Sequence, residues 1–191
     1  MTVILGTSVD DTLIGGDENN SIYGGRGSDR LSGVAGSDAI VGSYGNDILD
    51  GGDGNDTLIG AGRIDQYTGA VSRGAREIDL LTGGSGADTF VFAGGSARGG
   101  GGPSYRFNGN SDYALVTDFN KSEDIISLAK VEFSGSSSTA VEYSLGASPE
   151  GSPIGTGIYV NNLGAQPDLI AILQGVDSNS VSLTEPYFQF V

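Results

Sequence analysis

The residues best suited to chemistry in this 191-residue chain are aspartates that return at a fixed interval. Asp11, Asp29, Asp38, Asp47, Asp56, Asp65, Asp79 and Asp88 each take the sixth place of a nine-residue row, and Asn20 fills that place in the second row. The row reads G-G-x-G-x-D-x-U-x, with U a large apolar residue. Three copies are nearly clean: GGRGSDRLS from Gly24, GGDGNDTLI from Gly51 and GGSGADTFV from Gly83. Weaker copies begin at Gly6, Gly15, Gly33, Gly42, Gly60 and Gly74. A carboxylate set among glycine turns lies beside inward-pointing backbone carbonyls, which makes an all-oxygen cage. Hard cations such as Ca²⁺ favour that cage, with about six to eight ligands at roughly 2.3–2.6 Å.

Something must hold such a cage in shape. The eighth place reads Leu13, Ile22, Leu31, Ile40, Leu49, Leu58, Tyr67, Leu81 and Phe90, apolar or aromatic throughout. Three residues centred on U are too few for a free strand, but stacked copies can pair and bury U in a shared core. The other six must turn the chain tightly, and glycine reaches the positive φ that such turns need. The rows run unbroken from Gly6 to Thr68; Gly69 to Arg73 interrupt the period and Gly74 resumes it. Met1 to Leu5 is expected to form a strand covering the first coil, because an open solenoid end is an exposed sheet edge.

This repeat resembles that of the RTX (repeat-in-toxin) proteins, a match covering about the first half of the chain. The resemblance implies an all-β fold, a right-handed parallel β-roll capped by a carboxy-terminal β-rich region. It also implies several bound Ca²⁺ ions. In that family two rows make one coil, so ions sit between rows i and i+2. One edge would stack Asp11, Asp29, Asp47, Asp65 and Asp88, and the other Asn20, Asp38, Asp56 and Asp79. Nine rows would leave about seven same-edge neighbours, the ceiling on ions. Carbonyls come from the second and fourth places of the earlier row and the first and third of the later one. The best site would use Gly25, Gly27 and Asp29 with Gly42, Tyr44 and Asp47, and a second Gly36 and Asp38 with Gly51, Asp53 and Asp56. By the same carry-over Gly45, Gly52, Gly54, Gly60, Gly62, Gly83 and Ser85 join the ligand set. Val9, Glu18, Arg63 and Glu77 replace fourth-place glycines, and Val34 and Ser43 second-place ones. The first rows and those beside the interruption are therefore expected to bind less firmly than the middle.

The composition agrees with a cation-dependent fold. With 24 acidic and 9 basic residues the formal charge is −15, which repels nucleic acid and anionic membranes. There is no cysteine, so no disulfide can staple the chain, and calcium would take that structural role outside the cell. No apolar run is long enough to span a membrane. MTVILGTSVDD lacks a basic region followed by a long apolar one, so export is expected to depend on a signal elsewhere. The absence of histidine and cysteine excludes a histidine-based zinc site, a Ser-His-Asp triad and a thiol nucleophile, and no enzyme activity is expected. An ice-binding ladder fails too, because the third places (Ser8, Asp17, Arg26, Ala35, Tyr44, Asp53 and onward) are not alike.

The expected organisation is a β-roll over residues 1–92, a glycine-rich loop over 93–111 and a β-rich cap over 112–191. Strands are expected at Tyr113 to Val116, Ile125 to Leu128, Val141 to Leu145, Gly157 to Val160, Leu169 to Leu173 and Tyr187 to Val191. DYALVTDFNKSEDIISL resembles the segment after the repeats in many RTX proteins, notably the short calcium-binding ones of cyanobacteria. Asp118 and Asp124 read as solvated turn carboxylates, with one further ion as the alternative. The tail TEPYFQFV loosely resembles an RTX type I secretion signal, through Glu185, Tyr187, Phe188, Phe190 and Val191. The reading that results is a secreted bacterial calcium-binding module, met transiently by a type I exporter and monomeric by default. The alternative is an adhesin piece whose second half binds a glycan or cell surface.

Overall fold

The apolar eighth places and the glycine turns fold as their spacing requires. In the computed structural model, which describes residues 1–61, 76–94, 102–105, 110–134, 137–161 and 166–191, short strands alternate between two sheets. The repeat supplies β1 (Thr2–Leu5), β2 (Thr12–Gly16), β3 (Asn20–Arg26), β4 (Arg30–Ala35), β5 (Ala39–Tyr44), β6 (Ile48–Asp53), β7 (Thr57–Ile59), β8 (Ile78–Ser85) and β9 (Thr89–Val91). Odd strands pair in parallel on one face and even strands on the other, so each coil spends one row on each sheet. The eighth places then align: Ile22, Ile40, Leu58 and Phe90 on one side face Leu31, Leu49 and Leu81 on the other, all fully buried. Each such side chain contributes about 1.5–3 kcal/mol by leaving water. As expected, the lead strand β1 covers the first coil, with Ile4 in register with Ile22.

The row count differs from the sequence reading. β8 pairs directly with β6, Leu81 beside Leu49, and the step along this edge lengthens from 18 residues to 32. A side chain at Gly60 would meet the Asp79 carboxylate, just as one at Gly24 would meet that of Asp29. Gly60 and Ala61 therefore open a row that Asp79 closes, with residues 62–75 inserted between. The two apparent rows GAGRIDQYT and GAREIDLLT make one. The second carries its apolar eighth place, Leu81, into register with Leu49. Gly62, Asp65 and Tyr67, with the break at Gly69 to Arg73, lie outside the described residues.

Both sheets continue past the repeat. β10 (Ala93–Gly94) and β11 (Gly102–Pro103) form a small antiparallel pair. β12 (Tyr113–Val116) then adds to β8, and β13 (Ile125–Leu128) to β9, both in parallel. β14 (Val131–Ser134) and β15 (Ser137–Ala140) make a hairpin that the sequence reading missed. β16 (Tyr143–Ala147), β17 (Gly155–Val160) and β18 (Asp168–Gln174) extend one sheet antiparallel to one another, and β19 (Phe188–Phe190) ends the other beside β13. The protein is thus all-β; one 3₁₀ turn, Ser178–Ser180, is the helical content among the described residues. No helix there is long and apolar enough to cross a membrane.

Candidate metal centre

The sixth-place side chains form two ladders along the rims of the roll. On one rim the Oδ1 atoms of Asp29, Asp47 and Asp79 accept the main-chain N–H of Asp11, Asp29 and Asp47, each at 2.8 Å. On the other, Asp38, Asp56, Asp88 and Asp124 accept from Asn20, Asp38, Asp56 and Asp88 at 2.6–3.0 Å. The expected stacking is corrected at its far end, where Asp79 and Asp88 exchange rims because the insertion falls within a row. Asp124 is corrected as well: it is buried and continues the second ladder beyond the repeat, whereas Asp118 is exposed and accepts the N–H groups of Gly83 and Gly84.

A second ladder, outside the first, was not anticipated. The fifth-place side chains of Asp10, Asn19, Ser28, Ser37, Asn46 and Asn55 accept the N–H of the fifth-place residue one coil on. The signal was present as a short polar residue immediately before the sixth place in each of the first six rows.

The second carboxylate oxygens are the informative atoms. Oδ2 of Asp29, Asp38, Asp47 and Asp56 is buried and has no hydrogen-bond partner, in side chains 1–3 % exposed. An isolated buried carboxylate is costly, so its charge is expected to be met by a cation or removed by a proton. Burial, reinforced by neighbouring aspartates and opposed by the ladder hydrogen bonds, pushes Asp29 and Asp56 up to about 6 and Asp47 to about 8. Burial also raises Asp88 and Asp124.

The first-place glycines show what stands next to these oxygens. A methyl group at Gly24 would strike Asp29 Oδ2 and the Gly42 carbonyl oxygen; at Gly33, Asp38 Oδ2 and the Gly51 oxygen; at Gly51, Asp56 Oδ2 and the Gly83 oxygen. Carboxylate and carbonyl oxygens of adjacent coils therefore converge on one space. Turns bring them there: Gly25 and Gly52 at second places and Gly27, Gly36, Gly45 and Gly54 at fourth places have φ between 99° and 135°. Val34 and Ser43 are held at φ 81° and 87° in second places, a region costly for side chains with a Cβ. Among the described residues no three carboxylates gather at one point, so a cation here rests largely on backbone carbonyls. Hard oxygens without a nearby proton donor fit Ca²⁺.

Four positions depart from this pattern, one of them Asp124, whose Oδ2 accepts the Asn120 N–H at 2.7 Å. Asp11 Oδ2 is satisfied by the Thr7 N–H and hydroxyl at 2.6 and 2.8 Å. Asn20 turns its amide N–H onto the Glu18 carbonyl. Asp79 Oδ2 accepts from the Tyr105 hydroxyl.

A solenoid whose coils are joined at both rims by buried carboxylates and turn carbonyls is a cation-binding β-roll. Its rows at residues 5–40, 32–66 and 72–96 match the model of the RTX calcium-binding nonapeptide repeat (4 copies), and the repeat half of the chain belongs to that family. No curated protein shows significant similarity to the chain. Among solved structures it is similar to the AlgE6R3 subunit of the Azotobacter vinelandii mannuronan C5-epimerase. That likeness has 26 % identity and a TM-score of 0.39, over 97 % of this chain and 81 % of the other.

Proposed function

We propose that the protein is a secreted, non-catalytic structural module that folds when it meets calcium outside the cell. The observation that carries this reading is the run of four buried, unpartnered Oδ2 atoms, each beside a glycine turn. Without a cation, those charges oppose stacking of the coils, and a formal charge of −15 adds self-repulsion. Each Ca²⁺ bound to the folded form favours it by mass action. Extracellular calcium modules are tuned to about 0.1–1 mM, far above cytosolic levels, so the chain stays loose inside and closes outside. A loose chain also suits export, for which Glu185 to Val191 is the candidate signal; once folded, the same segment supplies β19, with Phe188 buried. The absence of histidine and cysteine supports a structural rather than a catalytic role.

Circular dichroism of chelated protein tests the reading. The chelated chain should be largely disordered and gain β signal cooperatively as calcium rises through roughly 0.1–1 mM, while Mg²⁺, which demands a smaller octahedral shell, should not replace it. A spectrum and melting temperature unchanged by chelation would overturn the proposal.

A further inference from the structure

The last rung of one rim is built like the others but filled differently. Gly60 takes the first place of its row, Ala61 the second and Asp79 the sixth, and Phe92 begins the row that follows on the same rim. By analogy with the Gly24, Gly33 and Gly51 rungs, the Asp79 carboxylate and the Phe92 carbonyl oxygen should face the space above Gly60. Tyr105 enters that space instead. A methyl group at Gly60 would meet the Tyr105 hydroxyl and Asp79 Oδ2, where the Gly24, Gly33 and Gly51 rungs present a carbonyl of the next coil beside the carboxylate.

The neighbouring oxygens are taken by the same two residues. The Tyr105 hydroxyl donates to Asp79 Oδ2. The Ser104 hydroxyl donates to the Ala61 carbonyl at 3.0 Å, and the Ser104 N–H to the Phe92 carbonyl at 2.9 Å. Three oxygens that a cation would gather are thus each given a proton donor. Both residues are completely buried, and Tyr105 keeps its position at φ 54°, unusual for an aromatic side chain. The dipeptide follows β11, whose pairing with β10 returns the chain to this rung.

We propose that Ser104 and Tyr105 form a plug that replaces a cation at the Asp79 rung and closes that rim without calcium. Hydrogen bonds supply there what calcium supplies elsewhere, so the joint between repeat and cap does not depend on ion occupancy. The inference rests on the calcium reading of the other rungs, and the experiment separates the two.

Wild type, Tyr105→Phe, Asp79→Asn and the double variant of the full chain are compared in saturating calcium, by thermal melting and by ion counting with native mass spectrometry. Tyr105→Phe keeps the ring and removes the donor, leaving a buried carboxylate unmet. It should melt about 5 °C lower or more. Asp79→Asn removes the charge that needs the donor, so the double variant should recover most of that loss. Additive losses, or a Tyr105→Phe protein that melts with the wild type, would overturn the plug, since a ring that merely packs predicts no coupling. A wild type carrying no ions at all would overturn the calcium reading, and with it the comparison on which the plug rests.

Discussion

Asp47→Asn should act in opposite directions with and without calcium. Asp47 is 1 % exposed and joins two rungs: its Oδ1 accepts from Asp29 and its own N–H donates to Asp79. Burial first, then the Asp79 charge, raises it from 3.8 to about 8. A raised acid contributes stability that is fully present below pH 3.8 and lost as the pH climbs through about 8. At 1.36 kcal/mol per unit, the calcium-free folded form loses up to about 4 kcal/mol at pH 7 through this one group. Asparagine keeps an oxygen for the Asp29 N–H but carries no charge, so it escapes that cost. In chelator, Asp47→Asn should therefore fold at a lower concentration of a stabilising osmolyte than wild type, with the difference shrinking as the pH falls toward 4. In calcium the same change weakens two rungs and should raise the calcium midpoint by roughly tenfold, about 1.4 kcal/mol. Asp47→Ala should be worse than Asp47→Asn in both conditions, because the Asp29 N–H is left buried and unmet, at about 1–3 kcal/mol. Osmolyte and calcium titrations followed by circular dichroism measure all of this. If Asp47→Asn destabilises the chelated and loaded forms alike, Asp47 is a structural hydrogen-bond acceptor and the cation argument at its rung fails.

Position along the rim should matter elsewhere too. Asp56→Ala disturbs two rungs and exposes no ready substitute, whereas Asp11 is already satisfied by Thr7, so calcium titration should show a clearly larger shift for Asp56→Ala than for Asp11→Ala. Equal shifts would contradict the ladder. Excising residues 62–75 leaves GAREIDLLT as one continuous row from Gly60 to Thr82, and the shortened chain should keep the β spectrum and cooperative calcium response of the parent. A collapse of either would show that the inserted segment holds the coil together.

Much of this was legible because a period of nine leaves few choices. Once Leu31 and Leu49 must share a core, the glycines between them must turn and Asp29 and Asp47 must stack. What misled was local similarity. GAGRIDQYT carries Gly60, Asp65 and Tyr67 in the right places, yet register is fixed by pairing with β6, and there Leu81 packs beside Leu49. Asp124 was hidden for a related reason: it follows Asp88 by 36 residues, four row lengths, but the stretch between does not keep the glycine-aspartate pattern, and the pairing of β13 with β9 is what brings it to the rim. The expected strands after residue 112 were placed within one or two residues of their positions, since alternating apolar residues mark them. The hairpin was missed although Val131 and Phe133 in β14 alternate with polar residues, because its partner β15 is a serine- and threonine-rich segment without that alternation.

The core and the rims divide the work of folding. The eighth-place side chains bury apolar surface whether or not an ion is present, and they fix which strands pair. The sixth-place carboxylates oppose that same stacking until a cation sits between coils. On the proposed reading, a fold driven together by its core and held apart by its rims would have calcium as its switch, provided that the two terms are close in size. The departures at the ends fit such a balance. Thr7 on Asp11, the inward amide of Asn20 and Tyr105 on Asp79 each meet the unsatisfied atom with a local hydrogen bond or remove its charge. The calcium-dependent charge is thereby concentrated on Asp29, Asp38, Asp47 and Asp56, in the middle of the roll, where each ion joins coils that have neighbours on both sides.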